Sequence, residues 1–348
     1  MSATKDAPVR VGIAGLGRSG WSIHAKNLAT LGEKFRIAAV TDPDAARMQE
    51  AAARFQCRTY SDLDDLLGDR EVELVTVATP SHLHAEHAIR ALRAGKNVVC
   101  EKPMATSAAA ADAMIEAARK AGRLLTIFQN RRYSPDFMKV REIIQTGKLG
   151  RIVMIRIACH GFGRRWDWQT LKEFGGGSLN NTGPHFLDQA LQLFGDAEPQ
   201  VFCHLERTLT SGDAEDHCKV ILHAPGSPMI DLEITSACAY GQDTWLVMGT
   251  SGGLTGNYRT LRWKYVDFSK LPPRPVDRRP MPDRSYNSEP LPWQEETWEV
   301  PNDLAPAEVR YYLDLYETLR HGAPLVVTPE SIRRQIALLE KCHQLSPV

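Results

Sequence analysis

The stretch Val9-Arg-Val-Gly-Ile-Ala-Gly15-Leu-Gly17-Arg-Ser-Gly20 decides the fold. A short apolar strand runs into a glycine-rich turn, and a helical stretch over 20–32 follows it. Such a turn lets a helix N-terminus come close to a bound pyrophosphate, whose charge the helix amides stabilise. The spacing is that of a dinucleotide fingerprint, and it gains weight from Asp42. That residue ends the next strand, Phe35-Arg-Ile-Ala-Ala-Val-Thr41, 22 positions beyond Gly20, where an acid accepts hydrogen bonds from the adenosine ribose. Gly15, Gly17, Arg18, Ser19, Gly20 and Asp42 are therefore expected to hold NAD. Arg47, five residues past Asp42, leaves NADP possible.

Outward from this turn, strand and helix alternate. Apolar strand-like runs at 9–14, 35–41, 72–78, 97–101 and 123–128 are separated by helical stretches at 20–32, 43–55, 61–67, 82–94 and 106–121. Ser61 with Asp64 reads as a capping box, and Gly95 and Gly122 stand where helices end in a left-handed residue. The alternation implies a doubly wound parallel sheet.

Two loops at strand ends carry chemistry. In Ala94-Gly-Lys-Asn-Val-Val-Cys-Glu101-Lys102-Pro103 a lysine beside a carboxylate emerges at the carboxyl end of a buried strand, where open α/β sheets place their ligands. In Ala78-Thr79-Pro80-Ser-His-Leu-His84 the proline marks the turn. His82 and His84 can either touch a cofactor or cap and pack the helix behind them.

After residue 128 the pattern changes. A helix over 136–146 ends at Gly147, a strand spans 149–160, and further strands near 199–208, 216–223, 229–238 and 244–249 follow with few helices between them, as in an antiparallel sheet. Residues 256–302 show little periodicity but are too aromatic for a free linker, and helices near 305–320 and 330–345 close the chain. The expected fold is thus an N-terminal Rossmann domain over 1–128, followed by an α+β domain over 129–348 with a large, mostly antiparallel open sheet.

Within the second half, Gly175-Gly-Gly-Ser-Leu-Asn180-Asn181-Thr-Gly-Pro184-His185 lets the backbone approach something closely and then starts a helix. Proline is tolerated only in a helix's first turn, so His185 sits in that turn and Asn181 lies close to it. The loop His160-Gly-Phe-Gly-Arg164-Arg165-Trp166-Asp167-Trp168 offers directional donors and flat apolar faces. Arg164, Arg165, Trp166 and Asp167 suit either a sugar ring or an oligomer contact.

These blocks together resemble the Gfo/Idh/MocA family of oxidoreductases, which includes inositol dehydrogenases and glucose-fructose oxidoreductases. They are the glycine fingerprint with a helical His24, the Thr79-Pro80 loop with His84, Ala94 through Pro103, and the glycine triplet through His185 and Asp188. The resemblance implies oxidation of a secondary alcohol on a sugar or cyclitol, or its reverse, and a homo-oligomer formed through the second sheet. It also implies a catalytic trio of a lysine, an aspartate and a histidine. Lys102 and His185 match, with Glu101 beside the cofactor, but Asn181 stands at the aspartate position. An amide orients a hydroxyl and cannot accept its proton.

Composition narrows the remaining classes. With 42 basic and 42 acidic residues the net charge is zero, which gives no reason to expect nucleic acid or a membrane surface as partner. Seven scattered cysteines without a CxxC pair, no apolar leader and no membrane-length apolar run suggest a soluble cytoplasmic protein with free thiols and no metal. Two alternatives to a dehydrogenase remain. One is a glycoside-cleaving enzyme that retains its NAD through transient ring oxidation, and the other is a catalytically silent sugar sensor.

Overall fold

A computed structural model describes residues 6–279, 284 and 286–348. Its first sheet is parallel, with six strands: β1 (Val9–Ala14), β2 (Phe35–Thr41), β3 (Arg58–Tyr60), β4 (Leu74–Val77), β5 (Asn97–Cys100) and β6 (Leu125–Ile127). The order β3-β2-β1-β4-β5-β6 changes direction between β1 and β4. Val11, Ile13, Leu74, Val75, Val98 and Val99 are fully buried, as helices on both faces require. Those helices are α1 (Lys26–Thr30), α2 (Ala45–Phe55), α3 (Leu63–Gly68), α4 (His84–Arg93) and α5 (Ala108–Ala121). A π-helical turn, Ser19–Ala25, leads into α1.

Local chemistry ends these helices largely as expected. Gly95 and Gly122 have φ of 77° and 59°, the left-handed conformation that stops α4 and α5. The capping box at Ser61 is corrected: Asp62 caps α3, its carboxylate accepting the Asp64 amide from an extended backbone. β3 escapes sequence reading because three edge residues with two exposed side chains carry no apolar periodicity.

The second unit follows α6 (Pro135–Gln145) and contains β7 (Ile152–His160), α7 (Ser178–Asn181), α8 (Gly183–Phe194), β8 (Gln200–Glu206), β9 (His217–His223) and β10 (Met229–Thr235). β11 (Trp245–Gly249), β12 (Gly252–Gly256), β13 (Thr260–Tyr265) and β14 (Gln294–Glu299) complete it. The eight strands run β14-β13-β12-β11-β7-β10-β9-β8, antiparallel except for the β7–β10 pair. β13 and β14 lie inside the stretch read as aperiodic. β14, Gln-Glu-Glu-Thr-Trp-Glu, is an edge strand whose charges protect it from further pairing, and they also hide it from a search for apolar runs.

Helix α9 (Ala307–His321) and α10 (Pro329–Leu345) turn back onto the first sheet. Thr126 on β6 meets the Tyr311 hydroxyl at 3.2 Å and donates to the Val327 carbonyl at 2.9 Å. A buried ion pair joins three chain segments at this seam. Arg132 donates to both Asp188 carboxylate oxygens, at 2.8 and 2.6 Å, and also to the Val326 carbonyl and the Ser331 hydroxyl.

Asp188→Ala leaves that guanidinium buried without its counter-charge, which costs about 3–5 kcal/mol. The urea midpoint is expected to fall accordingly, and an unchanged midpoint contradicts the role given to the pair.

Candidate active site

The reversal of strand order between β1 and β4 opens a crevice beyond their carboxyl ends, the general ligand position of such sheets. Here it is a groove of about 850 Å³. One end is walled by Gly15, Gly17, Arg18, Ser19, Asp42 and Arg47, and the middle by Thr79, Pro80, Glu101 and Lys102. Arg165, Asp167, Trp168 and Gln169, from the loop after β7, line it from the second unit.

The three fingerprint glycines differ in what they do. A Cβ on Gly20 would lie 1.8 Å from the Gly15 carbonyl oxygen, and one on Gly15, whose φ is 92°, would lie 2.6 Å from the Ala78 oxygen. These two permit the protein's own close packing. Gly17 has nothing within 4 Å of its Cβ position, so the space over it is open to a ligand. Open backbone beside Arg18 and Ser19 fits a pyrophosphate. Asp42 is 4% exposed; its carboxylate accepts the Leu16 amide at 2.6 Å and the Asp44 amide at 2.9 Å, and Arg47 stands 3.7 Å away. The acid therefore also ties the glycine turn to the end of β2.

Glu101 is buried and central. Its Oε1 lies 3.1 Å from His24 Nε2, its Oε2 accepts the Lys102 amide at 2.9 Å, and His24 Nδ1 meets the Tyr312 hydroxyl at 2.7 Å. Burial by itself raises the carboxyl. The bond and charge of His24, with the charge and amide of Lys102, outweigh it and bring the pKa from 4.5 to about 2.

Lys102 Nζ donates to the Asn181 backbone oxygen at 2.9 Å and approaches its Oδ1 at 3.4 Å. Sequence explains why that carbonyl is free. Three residues on stands Pro184, which has no N–H, and the His185 amide bonds instead to Thr182. The ammonium thus takes an orphaned carbonyl at the end of α7. Burial lowers the Lys102 pKa, opposed by Glu101 and reinforced by Arg18, Arg131 and Arg165. Burial also holds His185 well below its ordinary range, with Lys102 and Arg131 adding to the effect, so its ring is neutral near pH 7. Its Nδ1 is shielded from solvent and has no hydrogen-bond partner among the described residues.

His84 also belongs to the groove wall, but its ring nitrogens are taken up by protein, with Nδ1 2.7 Å from the Pro103 oxygen and Nε2 2.9 Å from the Thr79 oxygen, so its ring holds two loops together. Arg165 pairs with Asp167 at 2.8 Å within the groove wall, whereas Trp166 is 81% exposed and Arg164 reaches Ser211 outside it. The close approach at the glycine triplet is to the protein itself. A Cβ on Gly176 would lie 2.4 Å from the Gln169 oxygen, and one on Gly177 would lie 2.2 Å from Glu215, whose carboxylate accepts the Leu179 amide at the start of α7. Trp168, one of the flat faces of the loop after β7, lines the groove as expected, whereas sequence reading missed Gln169 as a groove wall and Arg131 as a charge felt by Lys102 and His185. The signal for Arg131 was an arginine pair just past a parallel strand's carboxyl end. Among the described residues no group of three or more His, Cys, Asp or Glu can hold a metal, and no helix is long and apolar enough to cross a membrane.

A depressed carboxyl pKa stabilises the fold above the unfolded value, and that contribution is lost as pH falls toward the folded value. The stability gap between wild type and Glu101→Gln should stay constant down to about pH 4.5, then shrink steadily as pH falls toward 2. Urea midpoints from neutral pH down to that range check it, and a gap at about pH 3 as large as at about pH 6 contradicts it.

Comparison with known proteins agrees with this geometry. Residues 9–129 match the NAD-binding Rossmann-fold domain of the Gfo/Idh/MocA oxidoreductases, and residues 137–255 match that family's C-terminal domain. An inositol 2-dehydrogenase of Saccharopolyspora erythraea is 31% identical over 296 residues, which is 82% of this chain and 84% of that one. An uncharacterised oxidoreductase of Schizosaccharomyces pombe is 32% identical over 257 residues, 71% of this chain and 69% of that one. The crystal structure of an NAD-binding protein from Listeria innocua superposes with a TM-score of 0.81 at 25% identity, covering 97% of each chain. The chain belongs to the Gfo/Idh/MocA family of NAD-binding oxidoreductases.

Proposed function

We propose that the protein is an NAD-dependent dehydrogenase that oxidises a secondary alcohol of a cyclitol, sugar or glycoside to a ketone, or runs the reverse reaction. One observation carries the reading. An ammonium, Lys102, lines a groove shaped for a dinucleotide and is tethered to Asn181 behind it, and His185, four residues beyond Asn181, is a neutral imidazole with a shielded, unpartnered nitrogen that feels the Lys102 charge. Gly17, Arg18 and Ser19 hold the pyrophosphate, and Asp42 favours the unphosphorylated ribose, with Arg47 beside it as the group a 2′-phosphate would meet. Bound NAD⁺ supplies the hydride acceptor.

The protein's part is proton handling and orientation. His185 is uncharged near neutral pH and able to take the hydroxyl proton, while the Lys102 ammonium stabilises the developing alkoxide. The Asn181 carbonyl fixes the lysine without adding charge. Arg165 and Asp167 meet the substrate from the loop after β7. The seven unpaired cysteines support a reducing compartment, the cytoplasm.

The open face of the second sheet supports a homo-oligomer. There Met248, Met154 and Met229 stand opposite one another across β11, β7 and β10. The adjoining row runs Leu246, Arg156, Asp231, Ile221 and Phe202.

A panel of inositols, aldoses and glycosides scored by NAD⁺ reduction tests the activity. On any substrate found, Lys102→Ala should lower kcat about 10²-fold or more with NAD⁺ affinity little changed, and arginine should not rescue it, because its broad planar fork does not reproduce the compact ammonium seated on the Asn181 carbonyl. A kcat near wild type removes Lys102 from the chemistry.

Asn181→Asp places a carboxylate beside Lys102 and His185 and so raises both pKa values. The rising limb of kcat/KM for oxidation should then move up by about one pH unit, while Asn181→Ala loses rate with its limb in place. An unmoved limb in the Asp variant puts position 181 outside the proton path.

A further inference from the structure

We propose that the substrate carries a carboxylate and that Arg131 binds it. The proposal rests on the dehydrogenase reading for the position of the reacting hydroxyl, and it adds the chemical class of the molecule. Arg131 lies in the short helical turn Asn130–Tyr133 at the carboxyl end of β6, next to the strand that delivers Lys102. Its guanidinium carbon lies 5.7 Å from the ring centres of both Phe186, the neighbour of His185 on α8, and Tyr258, in the β12–β13 turn.

Its main chain is anchored, since Gln189 Nε2 donates to the Arg131 carbonyl at 2.9 Å. Its head is not. Among the described residues the guanidinium makes no ion pair and no hydrogen bond to protein, and cation–π contact restrains it without using its N–H donors. The nearby acids are engaged elsewhere. Asp188 is held by Arg132, Asp136 accepts from Trp245 Nε1 at 2.8 Å, Glu308 accepts from Asn130 at 2.7 Å, and Glu101 serves His24 and the Lys102 amide.

The charge is felt where the chemistry occurs, because Arg131 lowers the proton affinity of both Lys102 and His185. Position 181, whose side chain lies 3.4 Å from the Lys102 ammonium, is an amide and adds no balancing charge. The cofactor does not explain the excess, since Arg131 is not a wall of the dinucleotide groove, which has Arg18 of its own. A planar, weakly hydrated fork in partial burial matches a carboxylate in two parallel hydrogen bonds. A sugar acid or carboxylated cyclitol supplies that anion together with the secondary alcohol.

The test uses enzyme saturated with NADH, so that the pyrophosphate site is filled. Matched acids and neutral parents, D-glucuronate with D-glucose and D-galacturonate with D-galactose, are titrated by calorimetry, and the same panel is scored for NAD⁺ reduction. In at least one pair the acid should bind tighter by about one to two decades, the size of a charged hydrogen bond. Arg131→Gln should abolish that preference while keeping NADH affinity and melting temperature, and Arg131→Lys should retain part of it. No preference in either pair, or a preference that survives Arg131→Gln, overturns the proposal. Neutral sugars oxidised without acid preference overturn it and leave the dehydrogenase standing. An acid held through Arg131 and never oxidised does the reverse.

Discussion

The Glu101 carboxylate is the constraint on which the site depends. A buried anion is tolerated only when charge and hydrogen bonds replace the water it has lost, and every group that does so here comes from a different part of the chain. His24 comes from the π-helical turn behind the glycine loop, the Lys102 amide from the end of β5, and Tyr312, through His24, from α9. The ring of His24 is wedged edge-on against Phe128, 4.4 Å away, which removes its freedom to swing. Satisfying one carboxylate therefore sets the glycine turn, the lysine and the returning C-terminal helix in one arrangement.

Around that point the two sheets divide the work. The parallel sheet offers strand ends and the phosphate turn, and its reversal of order makes the crevice. The second unit supplies what the crevice lacks: an orphaned carbonyl to tether Lys102, an imidazole that burial keeps neutral, and a loop that walls the groove. Pro184 is the small cause of the first of these. A residue with an amide proton at that position could have taken the Asn181 oxygen into the helix and left the ammonium without its tether.

How much of this was legible in the chain varies by residue. The glycine fingerprint, Asp42 and the lysine at the strand end were readable, since each reports on a local backbone need or a position relative to a strand. The capping Asp62, the strands β3 and β14, and the burial of His84 were not. Short edge elements carry too few apolar residues to show a period, and a histidine beside a loop reads the same whether it faces a ligand or two carbonyl oxygens.

The sequence by itself determined the alternation of strands and helices, the dinucleotide turn, and the placing of a lysine at a strand end and a histidine in a helix's first turn. It could do so because periodicity, glycine freedom and proline's missing amide act over a few residues. Only the tertiary structure decided which charges are compensated. Arg132 and Arg131 are adjacent and chemically identical, yet folding brings Asp188 to the first and two aromatic rings to the second. Pairing depends on partners 56 or more positions away, and that distance is closed only when the helices pack.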